Sequence, residues 1–261
     1  MVLLIIGREN LFVIFVIYVA VMLYFVWRGS KGDKVELRKI PAIDAIDEAV
    51  ARAVEMGKAV HWTEGHPRAS KLYDANGVYL VASLSFLAKI ARSCAEKGAR
   101  LLLSVGHPEL YPVVKDLTQT AYSMAGHPEA YVESDIELMP EYSYLAAVLG
   151  RITREHPAAH IQIGYFWGQD SVAIPEVAQG EGCFSINGGQ VSALQYLVVL
   201  SDYVLIADEL FASSAQISND PVLIMNMVAL DVDKALLIAS IFLGTILSTL
   251  GIVALRQLFK A

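Results

Sequence analysis

The segment Leu11–Trp27, LFVIFVIYVAVMLYFVW, holds seventeen residues without a charge. A helix needs roughly 17–25 apolar residues to cross hydrocarbon, so this stretch is just long enough to span. Arg28, Lys31, Lys34, Arg38 and Lys39 follow directly, and basic residues beside a span favour the cytoplasmic side. A cleaved leader fits less well, because no basic run precedes the segment and no A-x-A-like site follows it. Tyr18, Tyr24 and Trp27 suit an anchor, since amphipathic rings settle at the headgroup level. The chain is thus expected to be pinned to a lipid bilayer before its folded part begins.

Ala235–Leu255 is a second uncharged stretch of twenty-one residues, bounded by Lys234 and Arg256. Ser240, Gly244 and Ser248 recur every four residues, and Gly251 follows on nearly the same face. Small residues at that spacing let membrane helices approach closely, which makes these four the expected helix-packing positions. Neither stretch contains an ionisable residue, which argues against a pump or transporter. Arg28, Lys31, Lys34, Arg38, Lys39 and Lys234 flank the middle of the chain, against Arg8, Arg256 and Lys260 on its outer ends. That balance places the middle in the cytoplasm of a two-span cell-membrane protein. Residues 1–28 read as the first anchor and 29–220 as the folded domain. Residues 221–261 read as an apolar interfacial segment, Val222–Leu230, followed by the second span.

At 261 residues there is room for one globular domain between the spans. A net charge of −7 offers no general attraction to nucleic acid, whose binding rests on clustered Lys and Arg. The basic cluster from Arg28 to Lys39 lies beside the first span, where anionic headgroups are the natural partner. Two cysteines far apart, Cys94 and Cys183, make no disulfide framework and read as buried thiols.

Within the middle, Pro41 opens a helix whose Ile43, Ile46, Val50, Ala53 and Val54 share one face and whose end falls at Gly57. From there strands and helices alternate. Strands are expected at Lys58–Thr63, Arg100–Val105, Ala130–Glu133, Ala159–Phe166, Cys183–Ile186 and Tyr203–Ala207. Helices are expected at Val78–Lys97, Glu109–Met124, Glu141–Arg154, around Pro175, and at Gln190–Leu200. Such alternation implies βαβ units and a mostly parallel sheet, so the fold class is a Rossmann-like α/β domain between two membrane helices.

Ligands of an open parallel sheet sit beyond the carboxyl ends of its strands. The residues expected there are Glu64 and His66; Ser104 and His107; Gln169 and Asp170; Asn187, Gly188 and Gly189; and Asp208. These are also turn and cap positions of any α/β fold, which is their plain alternative. Gly188-Gly189, between a strand and a helix, is the place where free N–H groups could hold an anion. His-Pro recurs at His66, His107, His127 and His156, where it punctuates elements, since the residue before Pro is extended and Pro suits a first helical turn. His61 with His66, or His156 with His160, offers two ligands each, short of the three or four that zinc takes, so no metal is expected. Gly180-Glu181-Gly182 lacks the third glycine of a dinucleotide fingerprint and precedes a strand. G-x-x-x-x-G-K-[ST], H-E-x-x-H and G-x-S-x-G are absent, and no cofactor is expected.

LRKIPAIDAIDEAVARAVEMGKAVHWTEG (Leu37–Gly65), Ala207–Ser214 and Asp231–Lys234 resemble segments of an uncharacterised family of prokaryotic membrane proteins, a domain of unknown function. The resemblance implies an α/β domain between an N-terminal and a C-terminal membrane helix, and brings no catalytic residues with it. With two anchors and no catalytic motif, the expected role is structural: a homo-oligomer whose copies meet in the membrane plane, where confinement raises effective concentration. Closed symmetric assemblies are the expected form. The alternative is small-molecule or anion binding, with or without chemistry, at the strand ends.

Overall fold

The computed structural model describes residues 9–249. In chain order the helices and strands are α1 (Glu9–Ser30), α2 (Pro41–Met56), β1 (Val60–Gly65), α3 (Gly77–Lys97), β2 (Leu101–Val105), α4 (Tyr111–Met124), β3 (Ile136–Leu138), α5 (Tyr144–Glu155), β4 (Ala159–Tyr165), α6 (Gly168–Gly180), β5 (Phe184–Gly188), α7 (Leu194–Leu200), β6 (Tyr203–Leu205), α8 (Glu209–Ser218) and α9 (Pro221–Thr249). They fall into two compact units, one of residues 38–218 and one made from the chain's two ends.

The central unit is an α/β fold around a six-stranded sheet in the order β3-β2-β1-β4-β5-β6, with every neighbouring pair parallel. This is the Rossmann strand order. Parallel strands need helical crossovers, so both faces of the sheet are covered. On one face Trp62, Leu103, Ile161, Ile163 and Ile186 join Ile46 and Val50 of α2, Phe86 and Ile90 of α3, Val114 of α4 and Leu210 of α8 in a single apolar core. The helices over the other face have a smaller core of their own, with Tyr144, Val148 and Ile152 of α5 against Ile174 and Ala178 of α6.

Local chemistry accounts for the element ends. Pro41 occupies the start of α2, where its missing N–H is not needed. Gly57 closes that helix in the left-handed region (φ 62°), donating its N–H to the Ala53 and Val54 carbonyls. Gly98 closes α3 in the same way. Strand β3 falls at Ile136–Leu138 and not at Ala130–Glu133, because residues 128–130 and 133–135 are spent in two 3₁₀ turns that carry the chain to pair Ile136 with Leu103. Helix α8 was not expected.

In the terminal unit α1 packs along α9. Gly29 makes the close approach possible: a Cβ there would lie 2.8 Å from both the Pro221 carbonyl oxygen and the Val222 Cα. The end of α1 thus meets the start of α9, and the two helices run antiparallel. Asp220 caps α9 by accepting the Val222 N–H (2.7 Å), just ahead of Pro221. Val222–Leu230 and the start of the second uncharged stretch belong to this one unbroken helix. Phe12, Phe15, Ile17 and Leu23 on α1, and Leu237, Ile241, Phe242 and Ile246 on α9, are exposed. By length and apolarity, two helices among the described residues could cross a membrane, Phe12–Ser30 and Gly77–Lys97. The second is mostly buried and forms part of the α/β core.

Candidate functional site

Crossovers leave β1 and β4 in opposite directions, so the carboxyl ends of these two central neighbours form the switch point where a doubly wound sheet opens a crevice. Glycines let the backbones converge there. A Cβ on Gly164 (φ 155°) would collide with the Glu64 carbonyl, and one on Gly106 with the Gly65 carbonyl. Glu64 is wholly buried. Its Oε1 accepts the N–H groups of Gly106 (2.7 Å) and His107 (3.1 Å) and lies 3.1 Å from His107 Nδ1. Oε2 has no hydrogen-bond partner among the described residues.

On its far side His107 Nε2 lies 3.1 Å from the Ser70 carbonyl oxygen and 3.4 Å from Ser70 Oγ. Carboxylate, imidazole and serine in that order have the sequence of a hydrolase triad. Yet Nε2 stands nearer the carbonyl than the hydroxyl, and Ser70 is buried. The group pins the loop after β1 to the end of β2.

Across the crevice, the His66 ring stacks on Trp167 (centroids 4.3 Å) and meets the edge of Tyr144 (4.9 Å). The Arg68 N–H donates to His66 Nδ1 (3.1 Å). Burial, with the charge of Arg68 beside it, pushes the His66 imidazole down to about 4. Arg68 lies over the rings of Tyr142 and Trp167. Trp167, the N-cap residue just before α6, remains 36% exposed, so one edge of the stack faces solvent. Asp170, in the first turn of α6, accepts the Trp167 N–H on Oδ2 (3.2 Å) and leaves Oδ1 buried without a partner among the described residues. Burial raises its carboxyl to about 6. Tyr144 joins these groups, with its hydroxyl 2.7 Å from Thr63 Oγ1. Burial, and then the charge of Glu64, raises that phenol well above its ordinary value, with Asp170 adding to the effect.

Beneath the crevice, the sheet face under α5 and α6 is polar, which is unusual for parallel strands buried on both sides. His61, Thr63, Ser104, His160, Gln162, Ser185 and Asn187 alternate along β1, β2, β4 and β5, and all are buried. Register puts Ser104, Thr63, Gln162 and Asn187 side by side. His61 and His160 bring their Nδ1 atoms to 2.9 Å, and His61 Nε2 meets Ser104 Oγ at 2.7 Å. Buried Arg151 of α5 donates to the Leu103 and Asp135 carbonyls (2.6 Å each). Both amide atoms of Gln162, His160 Nε2 and Asn187 Oδ1 have no partner among the described residues. Such groups in a native structure call for an explanation.

Of the residues expected from sequence, Glu64 and His107 touch, and His66 and Asp170 share the Trp167 and Tyr144 neighbourhood. Ser104 bonds His61 instead of facing the crevice. Asn187 is buried on the polar sheet face and donates to Ser201 Oγ (2.8 Å). Gly188 and Gly189 are buried, and a Cβ on Gly188 would press on Leu205. They lead into a 3₁₀ turn and the seven-residue α7. Gln169 and Asp208 are exposed. Ser70, Tyr144, Arg68 and Gln162 were missed. Gln190, also missed, joins strand ends by bonding both the N–H and the carbonyl of Phe166. The period-two polar alternation of His61/Thr63, His160/Gln162 and Ser185/Asn187 was the readable signal for the sheet face. Among the described residues no group of three or more His, Cys, Asp or Glu side chains is placed to hold a metal ion. Cys94 and Cys183 are free and buried. Gly251 lies outside the described residues.

Residues 2–259 match the family described as a domain of unknown function, DUF6754, and the chain belongs to that family. No curated protein and no solved structure matches it.

Proposed function

We propose that this family member holds its Rossmann-like domain at the cell membrane through α1 and α9, with the domain on the cytoplasmic side, and that copies associate in the membrane plane as a structural assembly. The observation that carries the reading is the antiparallel α1–α9 pair with large apolar side chains on its outer faces. Such a surface is unfavourable in water and at home in hydrocarbon. The continuity of α9 adds a reason for association. Asp231, Asp233 and Lys234 lie within the helix, roughly 15–20 Å along it from Pro221 at 1.5 Å per residue. Asp231 and Lys234 are exposed and pair at 3.8 Å. Ionisable groups at such depth face protein or water in preference to lipid, and a neighbouring copy supplies that environment. Ser240 and Gly244 lie further along α9, among exposed apolar residues.

Gly244→Leu tests the assembly. Native mass spectrometry of the full chain in mild detergent should show an oligomer that dissociates in the variant. A wild-type chain that is monomeric at every concentration removes the proposal.

A second reading is favoured by Glu64 Oε2 and Asp170 Oδ1 at the switch point, both fully buried and without partners among the described residues. On that reading the α/β unit binds a small molecule there. Native mass spectrometry of protein purified from its own cells should retain a bound mass, and loss of that mass in Asp170→Ala would locate it.

A further inference from the structure

We infer that copies of the chain meet through one face of α9 within the bilayer, where the Asp231 carboxylate of each copy pairs with the Lys234 ammonium of the next. The inference rests on the membrane assembly proposed above and adds the surface and the contact that hold it.

The helix pair itself sets the depth. Gly29 of α1 lies against Pro221 and Val222 at the start of α9, and the two helices run antiparallel from there. Equal numbers of residues along each helix cover equal distances. Asp231 stands nine residues after Val222, about 14 Å along the helix. It is therefore level with Ala20 of α1, and Lys234 is level with Ile17. Those two positions are the centre of the uncharged Leu11–Trp27 stretch. The stretch that takes α1 through hydrocarbon thus carries an acid and a base of α9 to mid-depth.

Asp231 and Lys234 pair at 3.8 Å on the outside of the helix, with 78% of the Asp231 side chain exposed. Ile238, Ile241 and Thr245 continue the row at three- and four-residue steps, all of them exposed. That is the spacing of a helix–helix seam. Asp233, partly covered and with Oδ1 buried, lies on a different side of α9. Ser240 and Gly244 share that side, seven and eleven residues on.

Charged groups at mid-depth face protein or water, and lysines reach the headgroups only from near a helix end. A carboxylate has two oxygens and an ammonium three donors, so each can serve a second partner while keeping the first. Three steps of 100° set Asp231 and Lys234 about 60° apart round the helix. One flank of α9 therefore offers a carboxylate and the other an ammonium. Copies anchored in one bilayer share direction and depth, so the carboxylate flank of one arrives level with the ammonium flank of the next. Such a contact is complementary to itself, and its closed form is a ring.

The test uses the full chain, with native mass spectrometry in mild detergent and thiol cross-linking in native membranes by a short bismaleimide. Asp231→Lys alone and Lys234→Asp alone should each raise dissociation roughly tenfold or more, as a charge facing its like in low dielectric does. Co-expressing these two variants should restore the oligomer, because each then brings the charge the other needs. Ile238→Cys should cross-link between copies, and Leu236→Cys, exposed on the opposite side of α9, should not; this pair leaves the charges intact and decides the matter if the charged variants do not insert. Rescue by the exchange of both residues within one chain, without rescue by co-expression, confines the pair to a single copy and overturns the inference. An oligomer indifferent to both charge variants, or cross-linked as well at Leu236→Cys as at Ile238→Cys, overturns this face and leaves the assembly standing. A wild-type chain that is monomeric, or bound only to a different protein, overturns both.

Discussion

His61 and His160 meet through their Nδ1 atoms at 2.9 Å, so one imidazole donates and the other accepts. Burial, then the neighbouring His160 and Arg151, push His61 far down, and burial takes His160 down to about 4. A group whose folded pKa lies below its unfolded value gives stability that is full above 6.5 and is lost as pH falls toward the folded pKa. Thermal stability should therefore drop between pH 6.5 and 4. For His160 alone the loss reaches about 3 kcal/mol at 1.36 kcal/mol per unit. Thermal melts across that range, in wild type and His160→Gln, check this, and equal slopes would contradict it. Asp170 has the opposite sign. Its carboxyl is raised from 3.8 to about 6 by burial, so ionising it costs the fold progressively as pH rises through that window. Asp170→Asn should be more stable than wild type at pH 7 by about 1–3 kcal/mol, a gain that shrinks toward pH 4. Denaturant titrations at the two pH values measure the difference.

At the scale of elements, close approach decides more than propensity. The ends of β1, β2 and β4 meet only because Gly65, Gly106 and Gly164 carry no Cβ. Gly164→Ala would need β4 to move away from Glu64, and at φ 155° the residue is strained as well. We expect a loss of about 3 kcal/mol or more, seen as a collapse of folded yield and a broad, early melt. The α1–α9 contact depends likewise on Gly29. Gly29→Leu should separate the helix pair while leaving the far-ultraviolet spectrum of the α/β unit unchanged, with cysteine cross-linking between α1 and α9 as the readout. At 29 residues α9 extends about 44 Å, longer than a hydrocarbon core of about 30 Å.

For the whole molecule, apolar faces on α1 and α9 imply that the full chain stays with membranes through an alkaline carbonate wash, with release into the supernatant as the contrary result. Much of the architecture was legible because it is local. The uncharged run, the Pro41 start, the Gly57 and Gly98 stops and the apolar strand cores each act within a few residues. The β3 position was not legible, since a three-residue edge strand is defined by its pairing with Leu103 and Val105 and carries little pattern of its own. Nor was the loop function of Ser70, whose partner His107 is 37 residues away.

The amino-acid order alone determined that this chain has two greasy ends, alternating strands and helices between them, and a set of polar residues at strand ends. Those features follow from periodicity and turn chemistry, which neighbours along the chain impose on one another. Only the tertiary structure decided which of the polar residues share protons, which carboxylate oxygens stay bare, and that the sheet buries a polar face. Such outcomes depend on strand register and crossover direction, and these bring together atoms separated by up to a hundred residues.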